Sequence, residues 1–102
     1  MRLPKSVKVL GDKIRVQEVS SEVLEKFAGK DEDILGLALL LEGRILILKT
    51  IPYAEKRRVL YHEIFHFVLY KTAVSVGLHP LAEETLCQSF AAVHCHLKEQ
   101  GL

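Results

Sequence analysis

Apolar and polar positions first alternate along this chain, then cluster, then recur at helical spacing, and the changes of rhythm divide it into elements. Val7 to Leu10 and Ile14 to Val19 are short β-type runs around Gly11-Asp12, which predicts two strands and a turn. Ser20 or Ser21 is placed to cap a helix with Val23, Leu24 and Phe27 as its apolar side. The polar stretch 29–33 breaks that pattern. Next, ILGLALLL and RILILKT flank Glu42-Gly43, and two apolar runs around a two-residue glycine turn predict a β-hairpin. Ile45 and Ile47 favour strand, and Leu46 and Leu48 fill the alternate positions, so both faces of this hairpin are expected to be covered. Gly36 and Gly43 bracket the run from Leu35 to Leu41 and disfavour a helix there.

From Val59 to Val76 the chain reads VLYHEIFHFVLYKTAVSV, apolar on nearly every side, as in a helix buried all round. Pro52 suits the first turn of that helix and Gly77 its end. Pro80 opens a last helix, from about Leu81 to Glu99, closed by Gly101. Strands, helix, hairpin, helix, helix is the order of an α+β domain, a small mixed or antiparallel sheet on a helical layer. No repeat, low-complexity tract or linker interrupts it, and 102 residues suffice for one small domain, 1–102, but not two.

Composition changes little in this picture. A hydrophobic content of 49% supports a core without staples, and a formal net charge of +1 offers no basic face for direct nucleic-acid contact. Lys56, Arg57 and Arg58 read as a solvated first helical turn. Cys87 and Cys95, if on one helix, lie about 12 Å apart along its axis, too far for a disulfide. They read as small, semi-buried thiols of a reducing compartment. The N-terminal MRLPKSVKVLGDK lacks the continuous apolar stretch of a signal peptide, and no apolar run is long enough for a bilayer. A soluble, cytoplasmic protein with no membrane partner is expected.

The candidate chemistry sits in the buried helix. His62-Glu63-Ile64-Phe65-His66 spells H-E-x-x-H, in which two imidazoles four apart share one helical face and a carboxylate lies beside them. Burying an ionised carboxylate with two imidazoles is costly unless something pairs with them, and a bound cation does so. A catalytic zinc takes three protein ligands and leaves one position open, so a third donor is required downstream. Glu83 heads the stripe Glu83, Leu86, Phe90, Val93, Leu97, read as the apolar, inward face of the last helix. Glu84 heads a second stripe, Glu84, Cys87, Gln88, Ala91, whose small residues permit close helix approach. Glu83 is the preferred third ligand and Glu84 the alternative. His79 is placed to bind metal, orient a substrate or cap the last helix. His94 and His96 read as surface or rim residues.

The stretch RRVLYHEIFHFVLYKTAVSVGLHPLAEETLCQSFAAVHCHL resembles the core of small phage- and prophage-type zinc metallopeptidases. The matching residues are Leu60, His62, Glu63, His66, Gly77, Leu78, Leu81, Glu83 and Glu84. More distantly, the chain is similar to ImmA/IrrE-type metallopeptidases and to minimal gluzincins. In the ImmA/IrrE pattern the ligand glutamate precedes a small residue by three and Phe-Ala by six, a spacing matched by Glu84, Cys87, Phe90 and Ala91. Phe67 departs from these families, which often carry alanine after the motif, and Leu69 and Thr72 exclude the metzincin pattern.

The resemblance implies a minimal zincin-like fold and a zinc-dependent hydrolase, a metallopeptidase cleaving a peptide or protein substrate. His62, His66 and Glu83 (or Glu84) would bind Zn²⁺ and Glu63 would act as general base on the activated water. A strand of the hairpin is available to hold an extended peptide, and Tyr53, Tyr61, Tyr70 and His79 are candidates to assist the oxyanion. The alternative is a catalytically inactive, metal-stabilised module that binds a protein partner. A third expectation, following from the ImmA/IrrE likeness, is a regulator that cleaves or sequesters a repressor.

Overall fold

The N-terminal runs pair as an antiparallel hairpin, β1 (Ser6–Val9) with β2 (Asp12–Val19). Val9 faces Asp12, so the turn is Leu10-Gly11, one residue earlier than predicted. Their φ angles of 50° and 90° are the left-handed pair that lets a two-residue turn follow the strand twist. Ser20 caps α1 (Ser21–Ala28), its hydroxyl accepting from the Val23 N–H at 3.4 Å. The computed structural model describes residues 2–29 and 34–101, so most of the polar break predicted at 29–33 lies outside the described residues.

The second hairpin pairs β3 (Gly36–Leu39) with β4 (Arg44–Leu48). Leu39 opposes Arg44, which makes the loop the four residues 40–43 rather than Glu42-Gly43 alone. On its other side β4 runs parallel to β2, giving a mixed sheet of order β1-β2-β4-β3. Ile45 and Ile47 enter a core with Ile14, Val16, Leu60 and Phe67. Leu46 alternates to the opposite side and is equally buried, so the hairpin is covered on both faces.

The H-E-x-x-H segment forms α2 (Tyr53–Lys71), with Pro52 at its N-cap. It lies between the sheet and α3 (Pro80–Glu99), touching β1, β3 and β4 on one side and α3 on the other. That double burial explains why its sequence is apolar nearly all round.

Two helix expectations need correction. First, α2 stops at Lys71, well short of Gly77. The Thr72 hydroxyl donates to the Val68 carbonyl at 2.8 Å, Ala73 turns left-handed at φ 62°, and Val74–Gly77 forms a separate 3₁₀ turn. Alanine is the best of helix formers, so Ala73 by its own propensity does not mark the stop.

Second, the stripe Leu86, Phe90, Val93, Leu97 is not the core face of α3. All four are exposed, and the buried residues are Cys87, Ala91 and Cys95. Small side chains let the two helix axes approach closely, and that close contact outweighs the larger apolar area of the other stripe. Phe90 sits at the boundary, stacked on Phe65 of α2 with ring centroids 4.0 Å apart. The fold is α+β, a four-stranded mixed sheet with three α-helices among the described residues. None of these helices is long and apolar enough to cross a membrane.

Candidate metal centre

His62 and His66, one turn apart on α2, bring their Nε2 atoms to 3.3 Å from each other. Glu84, from the first turns of α3, closes the triangle. Its Oε1 lies 2.7 Å from His66 Nε2 and its Oε2 3.2 Å from His62 Nε2. Donors about 2.0–2.2 Å from one tetrahedral zinc stand roughly 3.3 Å apart, so this spacing fits a single ion. Two nitrogen lone pairs and a carboxylate facing one another at such distances repel unless a proton or cation lies among them.

Glu83 is adjacent in sequence but touches the other edge of the same ring. Its Oε2 lies 2.6 Å from His66 Nδ1. An Nδ1–H donated to Glu83 leaves the Nε2 lone pair free and fixes the ring, the usual carboxylate–histidine support of a metal ligand. The stripe that pointed to Glu83 was the exposed one, and the roll of α3 that buries Cys87 and Ala91 turns Glu84 toward both Nε2 atoms instead. Neighbouring helical positions differ by about 100°, so the roll of α3 alone decides which acid meets which ring edge.

Glu63 is 7% exposed and faces the same groove. Burial pushes its carboxyl up to about 7, with charge on His66 opposing and the Glu84 carboxylate adding. Burial likewise lowers the pKa of His62, against the pull of Glu84, so its imidazole favours the neutral form that binds metal. The groove encloses about 630 Å³ between α2 and the edge strand β3, and Arg58 and Gln88 also line it.

Three contributors escaped sequence reasoning. Gly36 lies so close to α2 that a Cβ there would stand 2.3 Å from Val59 Cγ1 and 3.4 Å from Glu63 Oε2. A glycine inside a strand is the signal of such close approach. Arg58, in the basic cluster expected to be solvated, has a side chain 54% exposed and also forms part of the groove wall. Cys87 is fully buried, with its Sγ within 4.8 Å of the ligand atoms of His62 and His66. Burial, then the Glu84, Glu83 and Glu63 carboxylates, hold that thiol up at about 12. Its place on the Glu84 stripe was the signal available.

The remaining candidates stand elsewhere. His79 caps α3, its Nδ1 accepting from the Leu81 N–H at 3.1 Å. His94 packs edge-on against Tyr61, ring centroids 4.2 Å apart, and His96 pairs with Gln100. Among the described residues, neither His79 nor any of the three tyrosines lines the groove. Comparison with protein-family models, with curated proteins and with solved structures returned no match.

Proposed function

We propose that this protein is a zinc-dependent hydrolase of peptide bonds, with His62, His66 and Glu84 as the metal ligands, Glu83 as the residue that orients His66, and Glu63 as the general base. The observation that carries this reading is the convergence of two Nε2 atoms and one carboxylate within 3.3 Å beside a buried carboxyl. Zinc held there supplies a Lewis acid that polarises a carbonyl and acidifies water. Glu63, poised near neutrality, takes a proton from the attacking water and passes it to the leaving amine as the C–N bond breaks.

The edge strand β3 supports a peptide as substrate. Leu35 accepts from Leu48 N–H, so residues 35, 37 and 39 bond toward β4. The backbone groups of Gly36 and Ala38 consequently point to the free edge along the groove, where an extended chain can add as a further strand. A second reading, a metal-stabilised protein-binding module without turnover, is favoured by one observation, the Cys87 thiol near the same two imidazoles.

Elemental analysis of protein purified without added metal is expected to give about one zinc per chain, lost in His62→Ala. Glu63→Gln is expected to keep the zinc and lose hydrolysis of a mixed peptide library by about 10²–10⁴-fold. Undiminished hydrolysis in that variant would remove Glu63 from its role, and absence of zinc from the unaltered protein would remove the metal centre.

A further inference from the structure

We infer that Cys87 is a fourth protein donor to the metal, a thiolate that closes the coordination shell from the inner side. This rests on the metal centre proposed above but not on its being a peptidase. Three observations carry it. Cys87 follows Glu84 by three residues on α3, so both side chains face α2. Its sulfur lies within 4.8 Å of the ligand atoms of both histidines, close enough for the three to be donors to one ion. Glu84 and Cys87 also differ sharply in exposure. The Glu84 side chain is 56% exposed, whereas Cys87 is fully buried.

Binding converts the thiol to a thiolate as one S–H bond is exchanged for one sulfur–metal bond, and the proton leaves to solvent. A donor set of two imidazoles, one carboxylate and one thiolate would suit zinc or cobalt over magnesium and calcium. It also occupies the position that hydrolysis requires open. With four protein donors bound, hydrolysis would need one of them to leave the metal, so Cys87 would act as a closing ligand.

The test is cobalt substitution of the full chain, followed by absorption spectroscopy. Cobalt-loaded protein is expected to show intense tetrahedral d–d bands and a sulfur-to-cobalt charge-transfer band in the near ultraviolet. Cys87→Ser and Cys87→Ala should abolish the charge-transfer band, retain d–d absorption and weaken cobalt binding at least about tenfold, the least expected when even an outer partner of a metal site is lost. Cys95→Ala, which alters the other buried thiol of α3, should leave the band intact.

Bound cobalt without the charge-transfer band in the unaltered chain overturns the role of Cys87 while leaving the metal centre standing. That spectrum comes from unaltered protein, so it decides even if the Cys87 variants fail to fold. No cobalt spectrum at all overturns the centre and this inference together. Higher peptide turnover in Cys87→Ala further supports the closing role, whereas a sulfur-ligated centre with no turnover in any variant keeps the thiolate ligand and overturns the hydrolase.

Discussion

Glu83 and Glu84 are chemically identical and consecutive, yet they make different contacts with one histidine. Glu84 faces both Nε2 atoms and Glu83 holds Nδ1 of His66. The two should therefore differ in titrations against a chromophoric chelator. Glu83→Gln, which retains a weaker hydrogen bond to His66, is expected to lower zinc affinity about 10–100-fold. Glu84→Gln, which removes the charge facing both Nε2 atoms, should cost more than that. The reverse ranking would exchange their roles. Neighbouring acids at the head of a helix carry no local mark of which will bind metal, because both also suit the positive end of the helix dipole. By contrast, the pairing of His62 with His66 was legible at once, since one helical turn fixes their relation whatever surrounds them.

Among elements, the site depends on how β3 and α3 press against α2. A methyl group added at Gly36 would meet Val59 Cγ1 at 2.3 Å and the Leu46 carbonyl oxygen at 3.1 Å, and neither can retreat freely. Gly36→Ala is expected to destabilise the fold by about 1–3 kcal/mol in urea denaturation, as overpacking does, with part regained on adding Val59→Ala. An unchanged midpoint would mean that strand and helix are not so closely opposed.

On α3 the two stripes exchange places relative to the pattern in the sequence. Ala91→Leu, in the close seam, should cost about 1–3 kcal/mol, whereas Val93→Ser, at 58% exposure, should change stability by less than about 0.5 kcal/mol. Equal effects would return Val93 to the core. The larger apolar stripe misleads because hydrophobic periodicity reports which face could be buried, while the axial separation of two helices is set by the smallest side chains between them.

At the scale of the whole molecule, the buried carboxyl links folding to pH. In metal-free protein Glu63 holds its proton up to about pH 7, against a reference value of 4.5. Below 4.5 both folded and unfolded chains are protonated and the full contribution to stability is present. As pH rises from 4.5 toward 7 the unfolded chain has lost its proton while the native one keeps it, so stability falls and then levels off. Glu63→Gln cannot ionise and lacks this loss. The stability difference between variant and parent should therefore shift toward the variant by roughly 3 kcal/mol between about pH 4 and about pH 8 without metal. His62, whose pKa is lowered, contributes in the opposite direction, losing stability as pH falls below 6.5, but it does so in both proteins. A difference independent of pH would show that Glu63 is not desolvated.

What the chain alone determined is local in origin. The α+β order, the strands of both hairpins, the capping serine and the buried H-E-x-x-H helix all follow from period, turn residues and caps, which act over a few residues. Tertiary packing decided the rest. It determined that α2 ends at Lys71, with Ala73 left-handed just beyond, that the smaller stripe of α3 turns inward, and that Gly36 lets β3 lie against Glu63. That packing also brought Glu84 and Cys87 to the histidines, because which of several adjacent side chains reaches a point in space depends on the roll and spacing of two elements, and only their mutual packing sets those.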